Sequence, residues 1–316
     1  MVRCSALLLT LFVPGVGGSP SSALRPLPSV PDALVGRWDI TVTTPEGPRP
    51  SWVEIRRSGR DALVGQFVGI VGSARPISQI VASGDSLRFA IPPQWEEGTG
   101  DLVVEGRADG DRLVGRMTFP DGKQLDWTGV RAPALRRPGR PAWGTAIPLL
   151  NQNDLGGWRA IQGENQWTVS DGVLRSPRSG ANLVTDRAFS DFRLHIEFRY
   201  PKGSNSGVYL RGRHEVQIED NFGTDPDVHR FGAVYGFIAP SEMAARQPGE
   251  WQTYDITLIG RMVTVVANGR TIIFDREIPG ITGGALDSDE GAPGPLMLQG
   301  DHGPIEYRNI TITPAR

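Results

Sequence analysis

Hydrophobic and polar positions alternate with period two along most of the chain, in short runs broken by glycine, and this pattern predicts strands rather than helices. Residues 31–132 repeat one grammar, seen in Leu34-Val-Gly-Arg-Trp-Asp-Ile40, Leu63-Val-Gly-Gln-Phe67, Ser86-Leu-Arg-Phe-Ala-Ile91 and Leu113-Val-Gly-Arg-Met-Thr-Phe119. The Ala108-Asp-Gly-Asp111 turn predicts a hairpin within 103–119. Such spacing predicts a small antiparallel barrel or sandwich. Its tryptophans, Trp38, Trp52, Trp95 and Trp127, are expected to plug barrel ends and cores; the competing expectation is that they line a binding cleft.

Residues 133–146 carry prolines and arginines with no apolar period, which predicts a linker whose charge is solvated. From 147 to 316 the pattern is again strand, with runs such as Phe192-Arg-Leu-His-Ile-Glu-Phe198, His214-Glu-Val-Gln-Ile218 and Met262-Val-Thr-Val-Val266. Asn268-Gly269 marks a tight turn between two of them. About ten to twelve strands with room for crossovers predict a two-sheet jelly roll, so the chain as a whole is expected to be all-β.

Residues 1–23 read differently. A basic Met1-Val-Arg3, an apolar stretch from Ala6 to Val13 and a small-residue Ser21-Ser-Ala23 predict a secretory signal peptide. The stretch is shorter than the ~20 residues of a membrane-spanning helix, and the alternative is an uncleaved anchor. Cys4 is the only cysteine and precedes the apolar stretch, so a mature chain would have no disulfide, thiolate zinc site or Cys nucleophile. The expected location is the bacterial periplasm or the medium. With 33 Lys and Arg against 35 Asp and Glu, the net charge of −2 carries no basic run for nucleic acid. The 40 glycines and 26 prolines suit a turn-rich β protein.

Strand parity locates candidate chemistry. If Val208 and Leu210, Val216 and Ile218, and Leu296 and Leu298 point into the core, then Tyr209 and Arg211, Glu215, Gln217 and Glu219, and Met297 and Gln299 share the other faces. Guanidinium, carboxylate, amide and aromatic groups on one sheet face suit a sugar-binding groove, although a merely solvated outer sheet would show the same parity. His302 follows in Gln299-Gly-Asp-His-Gly303, a Gly-flanked loop where an imidazole can meet substrate. The acidic turn at Glu219-Asp220-Asn221 with Asp225 and Asp227 leaves room for a hard divalent cation such as Ca²⁺, though a solvated turn is the simpler reading. No ligand set demands a metal. No phosphate loop, dinucleotide fingerprint or nucleophile elbow is present.

The second half resembles the 3-keto-disaccharide hydrolase family, a concanavalin-like jelly roll, over residues 147–314. The motifs run in that family's order: Asn205-Ser-Gly-Val-Tyr-Leu-Arg211, Glu215-Val-Gln-Ile218 with Asp220, Gly232-Ala-Val-Tyr-Gly236, Trp251-Gln-Thr-Tyr-Asp255, Val266-Ala-Asn-Gly269, Pro295-Leu-Met-Leu-Gln299 with His302-Gly303, and Tyr307-Arg-Asn-Ile310. The resemblance implies an exported enzyme that cleaves glycosides already oxidised at C3. It implies Arg211 at the oxyanion or keto group and Glu215 or His302 as base or acid. Asn205, Tyr209, Gln217, Tyr235 and Gln299 would hold the sugar. Two rivals remain: a non-catalytic carbohydrate-binding module on the same fold, and an ordinary glycosidase pairing Glu215 with Glu219 or Asp220.

Overall fold

The computed structural model describes residues 33–137, 139 and 141–316, and no helix occurs among them. The predicted leader lies outside the described residues. The first eight strands are β1 (Gly36–Thr44), β2 (Gly47–Ser58), β3 (Ala62–Val68), β4 (Ala74–Ser83), β5 (Ser86–Ile91), β6 (Leu102–Asp109), β7 (Arg112–Thr118) and β8 (Gln124–Arg131). Each pairs antiparallel with the next, and β8 returns to β1 with Trp38 opposite Arg131, closing a barrel. The alternation explains the closure. In β5, Leu87, Phe89 and Ile91 are buried while Ser86, Arg88 and Ala90 face water. Closing the sheet leaves no unpaired edge.

Trp38 and Trp127 fill the barrel interior, as expected. Trp52 is fully buried outside it, against Val68, Ile281 and Ala285. Trp95 departs from the expectation: it is 68% exposed, because the connection between β5 and β6 stands at the barrel rim and has no core to enter.

The second half contains β9 (Ile147–Pro148), β10 (Trp158–Ile161), β11 (Thr168–Ser170), β12 (Val173–Ser176), β13 (Asn182–Phe189), β14 (Phe192–Arg199), β15 (Asn205–Leu210) and β16 (His214–Glu219). It continues with β17 (Gln252–Ile259), β18 (Met262–Ala267), β19 (Arg270–Glu277), β20 (Gly294–Leu298) and β21 (Ile305–Pro314). One sheet has the order β10-β13-β20-β15-β16, and the other β11-β12-β21-β14-β17-β18-β19 with β9 beside β21. Val208, Leu210, Val216, Ile218, Leu296 and Leu298 of the first sheet meet Leu194, Ile196, Tyr254, Ile256 and Val265 of the second in one core. This is the two-sheet jelly roll that the alternation predicts.

The barrel is fastened to the sandwich. The Trp52 ring meets Phe237 edge-on, with centroids 5.4 Å apart and planes at 88°. Thr41 Oγ1 and Ser288 Oγ are 2.8 Å apart. Gly283 passes so close that a Cβ there would lie 1.8 Å from the Gly72 carbonyl oxygen, so only glycine fits. The segment expected to be a solvated linker is docked: Arg261 Nε and Nη2 donate to the Pro133 carbonyl at 3.1 Å, and Arg137 pairs with buried Asp191 at 2.6 Å. A buried carboxylate needs such a counter-charge, which is why this part of the segment is not free.

Candidate functional site

The site grows from the β15–β16 hairpin. Tyr209 and Glu215 are direct cross-strand partners, and Val208 and Leu210 on one strand and Val216 on the other take the core side. Parity therefore turns Tyr209 and Glu215 to the opposite face, beside Met297 of β20. There the Glu215 side chain lies across its neighbour strand, and a Cβ at Gly207 would come within 2.2 Å of Glu215 Oε1. Glycine at 207 is the condition for that placement.

Glu215 is buried. The Tyr209 hydroxyl is 2.9 Å from its Oε2 and 3.0 Å from the Gly283 carbonyl oxygen. With its amide oriented to satisfy both neighbours, Gln217 donates from Nε2 to Glu215 Oε1 and to the Ser206 carbonyl, each at 3.1 Å. These partners are neutral. Burial dominates and pushes the Glu215 carboxyl up to about 8, although the Tyr209 hydrogen bond and the His302 charge act the other way. Glu215 is thus an acid that keeps its proton at neutral pH.

Glu215 opens onto a cavity of about 360 Å³, within the range of small-molecule sites. Asn205, Tyr209, Tyr235, Gln299, Asp301 and His302 line it from the sandwich, and Val71, Gly72 and Trp95 from the barrel. His302 Nδ1 lies 2.7 Å from Asp301 Oδ1. That hydrogen bond is the main cause of a raised His302 pKa, with the Asp301 and Glu215 charges adding to it. With Nδ1 held by the carboxylate, Nε2 is the imidazole atom left for a ligand. Gln299 Oε1 is buried with no protein partner, a polar atom suited to a ligand group. Burial raises the Tyr235 hydroxyl to about 12, so it remains a donor.

Two predicted site residues are not in the cavity. Arg211 is the first: at φ 54° it adopts the left-handed conformation, which breaks the strand alternation on which its placement rested. Its guanidinium goes instead to the Gly260 carbonyl (2.9 Å) and His214 Nε2 (3.3 Å). Arg211 is 3% exposed there, in a cluster with Arg261 and Glu290. Gln217 is the second: it has the predicted parity but sits behind Glu215, positioning the carboxyl rather than reaching the cavity. Tyr209 lines the cavity but commits its hydroxyl to Glu215 and Gly283.

Sequence reasoning missed Asp301, and it offered cleft lining by Trp95 only as the competing expectation for all four barrel tryptophans. The adjacent Asp-His pair was the available signal for Asp301; nothing local set Trp95 apart from Trp38, Trp52 and Trp127, because its cleft forms between residues far apart in the chain. The glycosidase rival loses its carboxylate pair, since neither Glu219 nor Asp220 lines the cavity. In the acidic turn, Asp227 Oδ1 bonds the His229 backbone and ring at 2.9 Å, and Asn221 Oδ1 accepts from Phe231 N at 2.8 Å. Among the described residues no three His, Cys, Asp or Glu side chains form a metal-ligand group. A second cavity, of about 350 Å³, includes Arg175, Arg199 and Glu306, where both arginines pair with the one carboxylate.

Residues 145–313 match the family model of the 3-keto-alpha-glucoside-1,2-lyase-like domain. A 3-keto-disaccharide hydrolase from Bacteroides thetaiotaomicron is 28% identical over 91 residues, 25% of this chain and 31% of that protein. The chain thus matches about a third of the length of this curated relative. Among solved structures, a proposed glycosyl hydrolase from Parabacteroides distasonis is 30% identical, with 56% of this chain and 92% of that one covered and a TM-score of 0.46. Another from the same organism is 25% identical, with 54% and 98% covered and a TM-score of 0.43.

Proposed function

The chain belongs to the 3-keto-alpha-glucoside-1,2-lyase-like family, and from that premise we propose that it cleaves glycosides carrying a ketone at C3 of the sugar. The observation that carries this reading is one cavity holding a proton-retaining carboxyl, Glu215, and a carboxylate-oriented imidazole, His302.

A C3 ketone acidifies the C2 proton. His302 Nε2 takes that proton, and the C2–H electron pair delocalises onto the C3 oxygen as an enolate. The pair then forms the C1–C2 double bond and expels the substituent oxygen at C1, to which Glu215 gives its proton. Water adds at C1 and a proton returns to C2, so the net reaction is hydrolysis with the ketone regenerated. The amides of Asn205 and Gln299 and the Tyr235 hydroxyl provide donors for the developing oxyanion and the ring hydroxyls. Asp301 holds the base in its useful tautomer. Catalysis then needs His302 neutral and Glu215 protonated, so the rate rises as pH passes the raised His302 pKa and falls above about 8. Export rests on the leader pattern alone and belongs to the same proposal.

The test is incubation in D₂O with a disaccharide and with its 3-keto form. Cleavage of the oxidised sugar only, with deuterium at C2 of the released product, is expected. Cleavage of the plain disaccharide would point to an ordinary glycosidase, and binding without turnover to a carbohydrate-binding module; either result would remove the proposal.

A further inference from the structure

We infer that Trp95, carried by the N-terminal barrel, is the wall on which a ring-shaped leaving group of the substrate stacks, so that the barrel selects disaccharides and other ring aglycones over small ones. This deepens the hydrolytic reading and rests on it for the identity of the substrate. Trp38, Trp52 and Trp127 are buried, whereas Trp95 is 68% exposed and borders the cavity that holds Glu215 and His302. Val71, half exposed, stands in the same cavity. Residues 145–313 account for the family match, so this wall lies outside it.

The indole is exposed but its mount is rigid. Arg75 grips Glu96 with two hydrogen bonds, Nη2 to Oε1 at 2.7 Å and Nη1 to Oε2 at 3.1 Å. Gln94 Oε1 accepts from Ser73 N at 2.9 Å, and its Nε2 donates to Ser73 Oγ at 3.0 Å. Trp95 is therefore flanked on both sides by residues tied to Ser73 and Arg75 around the start of β4. A Cβ at Gly72 would lie 3.0 Å from Trp95 Cδ1, so glycine there leaves the indole its place. An exposed aromatic plane on tethered neighbours, beside a polar reaction centre, has the chemistry of a platform for the apolar C–H face of a pyranose. The sandwich supplies the polar groups for the oxidised ring, and the barrel supplies the apolar surface for what is attached to it.

The experiment compares kcat/KM of the full chain, Trp95→Ala and Trp95→Phe on a 3-keto-disaccharide and on methyl 3-keto-glucoside. The loss in Trp95→Ala is expected to be about tenfold larger on the disaccharide, carried by KM, and largely restored in Trp95→Phe. Equal losses on both substrates, or none, would overturn the inference and leave the hydrolytic reading intact. Calorimetric titration of the 3-keto-disaccharide into Glu215→Gln and into Glu215→Gln/Trp95→Ala separates the two claims. If the wild type turns over neither substrate but removing Trp95 still weakens disaccharide binding, the hydrolytic reading falls and the aromatic wall stands. Equal binding by both proteins, or binding by neither, overturns the wall.

Discussion

Glu215 and Glu290 are both buried glutamates near the junction of barrel and sandwich, yet their surroundings differ in kind. Glu290 is clamped by Arg261 through both guanidinium Nη atoms, with His214 Nε2 3.7 Å away and Arg211 beyond it. The barrel seals this cluster with Asp39, whose carboxyl burial and the Glu290 charge together push up to about 9. His214 is driven well below its usual range, by burial first and then by the Arg211 and Arg261 charges. Glu215, by contrast, touches only a phenol and an amide and faces an open cavity. A buried carboxylate matched by a cation holds structure together, whereas one left without a cation beside a cavity keeps its proton for chemistry.

This contrast can be broken in several ways. Glu215→Gln is expected to lower kcat on the 3-keto substrate by about 10²–10⁴-fold and to abolish the alkaline limb of the pH profile; retained turnover would show that Glu215 is not the acid. Glu290→Gln strands Arg261 and should cost about 3–5 kcal/mol in denaturant unfolding. Arg211→Ala belongs with it: a lowered Tm and little change in kcat are expected, and a collapse of kcat with intact stability would return Arg211 to the active site.

Gly207→Ala sharpens the comparison, because it moves only the Glu215 carboxyl. Misplacing that group should cost about 10–100-fold in kcat without unfolding the sandwich. Asp301→Asn removes the main cause of the raised His302 pKa, so the acid limb of kcat/KM should shift to lower pH. A limb that stayed in place would mean that His302 is not the base. The smallest effect concerns stability. Because the folded Glu215 pKa is raised from 4.5 to about 8, wild-type stability should fall as pH rises through that interval. Glu215→Gln should lack this decline, so the Tm difference between the two proteins should grow towards pH 8.

Strand alternation made much of the fold legible. Val208, Leu210, Val216, Ile218, Leu296 and Leu298 could be assigned to the core, and the opposite parity brought Glu215, Tyr209 and Gln299 to one face. The same rule failed at Arg211, because Arg211 (φ 54°) and Gly212 (φ 67°) lie in the tight turn between β15 and β16, where strand alternation no longer applies. It could not tell that Gln217 would spend its amide on Glu215, since parity assigns a face but not a partner.

The chain by itself determined its all-β class, its two β units, the core side of β15, β16 and β20 and its family. Those properties follow from local repeats: a period of two and an ordered run of motifs are visible within a few residues of one another. Only the tertiary structure decided which outward face remained open, that Arg211 belongs to a sealed ion cluster, and that Trp95 shares a cavity with a carboxyl more than a hundred positions away. Juxtapositions of that range depend on how the barrel and the sandwich dock, and no pattern of neighbouring side chains encodes the docking.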